Sequence, residues 1–177
     1  KQIKNNINNF IGINQFKKFK DISLKDLSIF NDNIYVSYTE EIEENCWNTS
    51  VISGNINYEN IEFKKLFSSV DCVHSIDNID KQFGASQAGG RIVKFLDDYI
   101  LLSIGDYQSR HLSQNIESIN GKIIKINIKN NNYEIISMGH RNPQGLLFDK
   151  ENNLILETEH GPMGGDEINL IKIDKIN

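Results

Sequence analysis

The sequence has little proline, little cysteine and no long apolar run, and each shortage excludes a class of protein. Two prolines and two cysteines occur among 177 residues, too few for a proline-rich linker or a cysteine-dense secreted scaffold. The longest apolar runs, such as residues 99–104, have the length of a strand. About 20 apolar residues are needed to cross a bilayer as a helix, so we expect no membrane span.

Clustered positive charge is also missing. The net charge is −5, and lysine and arginine are scattered along the chain. Nucleic-acid binding depends on neutralising phosphates with grouped basic side chains, so nucleic acid is excluded as an expected partner. A hydrophobic content of 38% with 24% charged residues is typical of a globular domain that buries a core.

The two cysteines, Cys46 and Cys72, leave two alternatives open. They form one disulfide in an oxidising compartment, or they remain buried thiols in a reducing one. A zinc site is not indicated, because two distant thiols with His74 lack the paired spacing of such sites. The chain begins at Lys1 without a charged and then apolar leader, which fits either a removed or an omitted signal peptide.

Short β-branched and aromatic runs, separated by Asn, Asp and Gly, predict an all-β fold. No helical stripe of ten residues stands out, and residues 16–30 have room for one helical turn before a strand. The turns at residues 31–33, 97–98, 130–132 and 149–153 favour tight reversals with left-handed residues. The predicted strands are residues 27–30, 34–38, 49–53, 90–95, 99–103, 122–128, 133–138, 146–148, 154–158 and 167–173.

Repeated hairpins of this kind suit a sandwich, a barrel or a propeller. A propeller blade takes roughly 40 to 50 residues, so this length holds at most about four blades. No internal repeat distinguishes the three architectures, and the choice depends on motifs.

Both prolines, Pro143 and Pro162, lie in one segment that begins at Gly139 and reads GHRNPQGLLFDKENNLILETEHGPMGGDEINLI. Each proline fixes a turn beside a cluster of polar side chains, which is how a loop is held rigid around a ligand. The simpler interpretation is that the prolines only terminate strands.

This segment resembles the glucose/sorbosone dehydrogenase family in both its GHRNPQGL and its EHGPMGGDEINLI loops. The resemblance extends upstream through GGRIV at residues 89–93, LLSIGD at 101–106 and NGKIIKIN at 120–127. It implies a six-bladed β-propeller of which roughly three to four blades are present here. We therefore expect residues 1–177 to form a single partial propeller domain, clearest from 87 to 173, because the family's continuation after the last strand is missing.

The resemblance also implies an oxidoreductase that uses pyrroloquinoline quinone (PQQ) and calcium. Such an enzyme oxidises the C1 hydroxyl of an aldose, or of a related alcohol, in the periplasm or outside the cell. Arg141, Asn142 and Gln144 would face or orient the quinone, since an arginine fork pairs well with carboxylates. The main-chain oxygens of Gly161 and Pro162 would bind calcium, a hard cation that prefers oxygen ligands.

One further metal ligand is expected beside this loop. Glu167, beside Asp166, would bind a second, structural calcium, although a solvated acidic turn explains it nearly as well. His140 and His160 are interpreted as loop-packing residues. The oligomeric state is left open by the sequence.

Gln87 departs from the family pattern, because it stands where the family's H-x-G-G-R motif has its general-base histidine. A neutral amide does not accept a hydroxyl proton, whereas an imidazole with a pKa of about 6.5 does. Activity is therefore lost, directed to another substrate, or supported by another base. Asp106, which matches the acidic partner of the missing histidine, and His111 in the following loop are the two candidates.

Two other functions compete with the dehydrogenase. A non-catalytic propeller would keep the rigid loops and bind a carbohydrate or a protein partner, which Gln87 favours. An all-β surface domain would use every motif structurally, but it does not explain why Arg141, Asn142, Glu159 and Asp166 gather on loops around one hairpin. An incomplete ring would in addition leave sheet edges and faces uncovered.

Overall fold

The computed structural model describes residues 1–19 and 21–173 and is nearly all-β. Only two short α-helices, α1 (Ile13–Lys18) and α2 (Arg110–Ser113), and two 3₁₀ turns, Ile7–Asn9 and Ala85–Gln87, occur in this part of the chain. The strands are β1 (Lys4–Asn5), β2 (Leu24–Phe30), β3 (Asn33–Glu43), β4 (Cys46–Asn55), β5 (Asn60–Ile61), β6 (Lys64–Phe67), β7 (Val73–His74), β8 (Gly89–Leu96), β9 (Tyr99–Ile104), β10 (Lys122–Asn127), β11 (Tyr133–Met138), β12 (Pro143–Asp149), β13 (Leu154–Glu159) and β14 (Glu167–Lys172).

Each predicted strand is confirmed, with differences only at its ends. The turns supply the reason, because Asn31, Asp32, Asn131 and Asn153 all have positive φ, between 51° and 64°. Asn and Asp tolerate this left-handed conformation better than other non-glycine residues, which is why they mark the hairpins. Strands β5, β6 and β7 were not predicted, and each has only two to four residues.

Three sheets of antiparallel strands carry the fold. The N-terminal sheet has the order β2-β3-β4-β6, with β7 also pairing with β4, and the central sheet has the order β11-β10-β9-β8. The C-terminal sheet has the order β12-β13-β14, and a separate parallel pair joins β1 to β5. Consecutive strands lie side by side in both the central and the C-terminal sheet, as expected for hairpin-linked strands.

The core lies between the sheets, and the central sheet has its deepest part. β9 and β10 contribute a run of fully buried side chains because both faces of this sheet are covered. Phe95, Leu101 and Ile123 pack with Ile155 of the C-terminal sheet, which joins those two sheets. The fully buried members from β9 and β10 are Ile100, Leu101, Leu102, Ile104, Ile123, Ile124 and Ile126.

The two cysteines form a disulfide, with Cα atoms 5.4 Å apart. Cys46 begins β4 and Cys72 precedes β7, so the bridge holds these two neighbouring strands together. Of the two alternatives that the sequence left open, the structure has the bridged form.

The C-terminal sheet has one buried face and one open face. On the open face Leu147, Ile168 and Leu170 are more than half exposed. On the opposite face Ile155 and Glu157 are completely buried. Across the described residues, no helix is long and apolar enough to cross a membrane.

Candidate functional site

Gln87 ends the 3₁₀ turn that leads into β8, and its backbone is held by the loop that follows β9. Gly105 N–H donates to the Ala88 carbonyl (2.9 Å), and Tyr107 N–H donates to the Gln87 carbonyl (3.1 Å). A Cβ atom at Gly105 would overlap the Gln87 carbonyl oxygen, so this close approach requires glycine. The loop that follows β9 therefore fixes the backbone around Gln87 at two points.

The side chains of Gln87, Asp106 and Arg141 meet. With its amide oriented to satisfy both ends, Gln87 donates from Nε2 to Asp106 Oδ1 (3.2 Å) and accepts at Oε1 from Arg141 Nη2 (2.8 Å). Asp106 N–H also donates to the Arg141 carbonyl (2.9 Å). Three of the predicted site residues thus form one hydrogen-bonded chain.

Asp106 is 1% exposed, and this burial governs its protonation. Loss of water raises the pKa of the Asp106 carboxyl to about 6, although the Gln108 N–H (2.7 Å) and the charge of Arg141 oppose the shift. Asp106 is therefore a carboxylate at neutral pH that accepts a proton more readily than an exposed aspartate does.

Arg141 connects the two proline-containing loops. Its Nη1 donates to the carbonyl oxygens of His160 (2.8 Å) and Gly161 (3.1 Å). Its Nε is buried and has no hydrogen-bond partner within the described part of the chain. The guanidinium therefore links the RNPQ loop to the EHGP loop and retains one unsatisfied donor.

Asn142 and Gln144 lie on either side of Pro143. Asn142 is 5% exposed and accepts at Oδ1 from Gly89 N–H (3.3 Å), which ties the RNPQ loop to the start of β8. The Gln144 carbonyl accepts from Arg91 Nε (3.0 Å), while the Gln144 side chain is exposed. Only Asn142 of this pair is held rigidly by its own side chain.

An acidic cleft of about 380 Å³ opens beside these loops. Since three carboxylates and one imidazole line it, the cleft suits a cation or a polar ligand better than an apolar one. Its walls are formed by Gln144, Thr158, Glu159, His160, Asp166, Glu167 and Ile168.

The Gly161–Pro162 turn borders this cleft. Asp166 Oδ1 accepts from Gly161 N–H (3.1 Å), and the Pro162 carbonyl accepts from Gly165 N–H (3.1 Å). Asp166 Oδ2 also lies 3.4 Å from His160 Nδ1. Glu167 is exposed, and its Oε2 accepts from Asn169 (3.2 Å).

His111 lies on α2 and has a different partner. Its Nδ1 is 2.7 Å from Asp80 Oδ2, and its side chain is 40% exposed. The described residues give it no hydrogen bond to Gln87, Asp106 or Arg141. The structure therefore separates the two base candidates, with Asp106 inside the hydrogen-bonded chain and His111 at the surface beside Asp80.

A buried group lies behind the site, and the sequence had suggested only that His140 packs in a loop and that Glu159 belongs to the loops around the hairpin. His140 is 4% exposed and lies close to Glu157 and Glu159 on β13. Glu159 Oε2 accepts from the backbone N–H groups of Arg141 (2.5 Å) and Asn142 (3.3 Å), and so positions the RNPQ loop. The sequence signal was the alternation Glu-Thr-Glu at residues 157–159.

Burial and hydrogen bonding act on the two glutamates in opposite directions. Burial raises the pKa of Glu157 more than Asn169 and His140 lower it. Burial also acts to raise the pKa of Glu159, but the nearby His140 ring and the hydrogen bonds from the Arg141 and Asn142 backbone outweigh it and leave that pKa lowered. Glu159 is therefore the firmly ionised member of the pair.

Known proteins with similar sequences and structures share this arrangement of strands and loops. Aldose sugar dehydrogenase YliI of Escherichia coli (strain K12) is 28% identical over 150 residues, covering 77% of this chain and 39% of that protein. The crystal structure of the soluble aldose sugar dehydrogenase from Escherichia coli in the apo-form superimposes with a TM-score of 0.70 at 26% identity. That superposition covers 88% of this chain and 48% of the other.

A third similarity concerns the fold alone. The PQQ-bound aldose sugar dehydrogenase from Streptomyces coelicolor matches with a TM-score of 0.60 at 22% identity, over 80% of this chain and 42% of that one. The chain thus spans less than half the length of each of these three relatives.

The family comparison covers most of the chain. Residues 19–175 match the Glucose / Sorbosone dehydrogenase family, and they include every residue of the site described above. The chain therefore belongs to the glucose/sorbosone dehydrogenase family.

Proposed function

We propose that the chain forms part of a PQQ-dependent dehydrogenase that oxidises the C1 hydroxyl of an aldose or a related alcohol. The observation that carries this proposal is the position of Arg141, whose guanidinium joins Gln87 to the His160 and Gly161 carbonyls. The Arg141 guanidinium is a cation that contacts the Gln87 loop and the EHGP loop from its own RNPQ loop. Such a cation suits an anionic ligand bound where the three loops meet. The family and the PQQ-bound relative support the same cofactor.

The large sheets fit the same proposal as blades of a six-bladed propeller. Each has three to five antiparallel strands, close to the four of a propeller blade. Residues 1–177 then form a single partial domain of that ring. A periplasmic or extracellular localisation belongs to the same proposal, and the Cys46–Cys72 disulfide supports an oxidising compartment.

The residues at the site fit a quinone that carries carboxylates. Arg141 Nε is a buried donor without a partner, and an acceptor-rich ligand supplies what it lacks. Asn142, held by Gly89, and Gln144, on the cleft wall, would orient the ligand. When bound, PQQ supplies the two-electron acceptor for the hydride from C1, and the aldose becomes a lactone.

The chain's own residues must take up the hydroxyl proton. Gln87 does not act as a base, but it contacts Asp106, whose carboxylate has a pKa raised to about 6 by burial. Asp106 is therefore the better-placed proton acceptor, and Arg141 would steady the negative charge that develops nearby. His111, paired with Asp80, is the second candidate and requires the substrate to reach the surface of α2.

Calcium at Gly161 and Pro162 does not fit the present arrangement. The Gly161 carbonyl already accepts from the positively charged Arg141, and a cation on the same oxygen would be repelled. Calcium binding there requires Arg141 to release this carbonyl, so we derive no catalytic step through calcium. Glu167 remains a candidate ligand for a second calcium because its carboxylate is exposed at the start of β14.

The alternative is a non-catalytic propeller that binds a carbohydrate or a protein partner at the same loops. The observation that favours it is the neutral amide of Gln87, which is hydrogen-bonded to Asp106 and Arg141 and is not a general base. Both functions predict a ligand near Arg141, and they differ in whether that ligand is PQQ.

Calorimetric titration of the protein that carries this chain with PQQ, with and without calcium, tests the proposal. We expect Arg141→Lys to weaken PQQ binding about tenfold or more, because lysine loses the fork that links the loops. Arg110→Lys, at an exposed position on α2, is the matched control and should bind PQQ like the parent protein. Absence of PQQ binding in the parent, with or without calcium, would contradict the dehydrogenase and favour the alternative.

A further inference from the structure

The buried face of the C-terminal sheet carries carboxylates where a core would place apolar side chains. Glu157 and Glu159 are two residues apart on β13 and so point to the same face. The side chain of Glu157 is 0% exposed and that of Glu159 is 7% exposed. Asn169 of β14 lies directly opposite Glu157 in the strand register. His140, from the loop before β12, closes the group.

The spacing of these atoms suits a metal ion. His140 Nδ1 lies 3.4 Å from Glu159 Oε1 and 3.6 Å from Glu157 Oε2, and one ligand atom from each residue lies within 4.8 Å of the others. A tetrahedral ion with ligands at about 2.1 Å separates neighbouring ligand atoms by about 3.4 Å. Two of the three separations therefore already have the required length.

Two polar atoms of this group lack partners. His140 Nδ1 and Glu157 Oε1 are buried and make no hydrogen bond within the described residues. The His140 ring is oriented from its other side, where Nε2 lies 2.8 Å from Ser137 Oγ. A buried polar atom without a partner is costly, and His140 Nδ1 lies close to both carboxylates.

The negative charge of the group is only weakly compensated. A single amide, Asn169 Nδ2, donates to Glu157 (3.0 Å), Glu159 (3.4 Å) and Glu167 (3.2 Å). Among the described side chains, this neutral amide and, when protonated, His140 are the groups that offset the charge of Glu157 and Glu159. A divalent cation supplies further positive charge and gives His140 Nδ1 the partner that it lacks.

We infer that His140, Glu157 and Glu159 form a binding site for a first-row divalent transition-metal ion of the Zn²⁺ type. An imidazole with two carboxylates suits zinc and its neighbours, whereas calcium and magnesium prefer oxygen alone. Rotation of the Asn169 amide would bring its oxygen in as a fourth ligand. This site lies on the buried side of β13 and is separate from the Gly161 and Pro162 carbonyls.

The ion would also fix the RNPQ loop. Glu159 binds the ion through one oxygen and holds the Arg141 and Asn142 backbone N–H groups through the other. Such a carboxylate bridge transmits the rigidity of a metal site to the residues beyond it. The inference does not depend on the proposed dehydrogenase activity, because it concerns binding by the folded chain.

Titration of the chelator-treated protein with ZnCl₂, followed by calorimetry and by elemental analysis after dialysis, tests this site. We expect one ion per chain, and we expect Glu157→Gln to weaken Zn²⁺ binding at least about tenfold. CaCl₂ in the same titration should not compete. Glu151→Gln, which neutralises an exposed glutamate in the β12–β13 turn, is the matched control and should bind Zn²⁺ normally.

A second variant keeps the test decisive if Glu157→Gln does not fold. Asn169→Asp, at a half-buried position, adds a carboxylate beside the ion and should tighten Zn²⁺ binding several-fold. Equal affinity in the parent protein, Glu157→Gln and Asn169→Asp would place the ion at surface histidines and overturn the inference. Absence of stoichiometric binding in the parent protein would overturn it as well.

Discussion

The central and the C-terminal sheets have opposite relationships between burial and polarity. In the central sheet the buried side chains of β9 and β10 are mainly isoleucine and leucine, with no exposed surface. In the C-terminal sheet the buried face includes Glu157, while Leu147, Ile168 and Leu170 face outwards. The central sheet therefore supplies stability, whereas the C-terminal sheet supplies polar groups for the site on a less stable support.

The largest expected effect comes from replacing a leucine with alanine, which should cost more stability in the central sheet than in the C-terminal sheet. Leu102→Ala, in the middle of the central sheet, should lower the free energy of unfolding by about 2 to 5 kcal/mol, because it leaves a cavity in a packed core. Leu147→Ala, at a 55% exposed position of β12, is the control, and we expect a loss below about 1 kcal/mol. Urea denaturation measures both losses, and equal values would show that the central sheet does not contribute more stability than the C-terminal sheet.

Removal of the disulfide tests whether the N-terminal sheet can lose stability before the C-terminal sheet, which carries the polar groups of the site. The Cys46 and Cys72 pair closes a loop with a sequence separation of 26, and its loss should destabilise the chain by about 3 kcal/mol. Hydrogen exchange of the Cys46→Ala/Cys72→Ala variant should increase in β4 and β7 before it increases in β12–β14. Earlier exchange in β12–β14 would show that the sheets are coupled more tightly than their packing suggests.

Asp106, at the junction of the two sheets, adds a dependence on pH. Its pKa is raised to about 6 in the folded protein, so the folded state retains this proton while the unfolded state loses it near pH 4. The contribution of Asp106 to the free energy of unfolding is therefore largest below about pH 4. It falls as the pH rises towards 6 and stays low above that pH.

Asp106→Asn should abolish this fall. The stability of the variant relative to the parent should rise by on the order of 2 kcal/mol between about pH 4 and pH 7. Chemical denaturation at a series of pH values measures the difference. A difference that stays constant with pH would show that the Asp106 carboxyl titrates normally.

The smallest effect on stability concerns the open face of the C-terminal sheet. Ile168→Thr combined with Leu170→Thr should change the free energy of unfolding by less than about 0.5 kcal/mol, since both side chains are more than half exposed. Self-association in sedimentation experiments should decrease, because the apolar patch is reduced. Ile171→Thr, on the partly buried face of the same strand, is the control and should be clearly destabilising.

Strand positions were predictable from the sequence because the chain marks its turns with Asn and Asp. Left-handed residues at Asn31, Asn131 and Asn153 appear where turns were expected. Strands β5 to β7 were not predictable, because two to four residues carry no recognisable alternation. The meeting of Gln87, Asp106 and Arg141 depends on how distant loops are brought together, which periodicity does not encode.

The face of β13 could not have been assigned from its pattern. Leu154 and Leu156 alternate with Ile155 and Glu157, and the usual alternation rule places the leucines inside and Glu157 outside. The structure reverses this, with Leu156 38% exposed and Glu157 completely buried. A buried glutamate on a strand is detectable only when its neighbours in space, here His140 and Asn169, are known.

Because the backbone around Gln87 is held rigidly, a mutation can replace the side chain at this position while the main chain stays in place. Gly105 and Tyr107 hold the main chain on either side of the side chain, and Asp106 lies in contact with it. Glutamine and histidine codons differ only in the third base, so one point mutation replaces the amide with an imidazole beside a waiting carboxylate. A change of side chain at position 87 is therefore a single heritable step that alters what Asp106 contacts, while the hydrogen bonds of Gly105 and Tyr107 to the main chain remain.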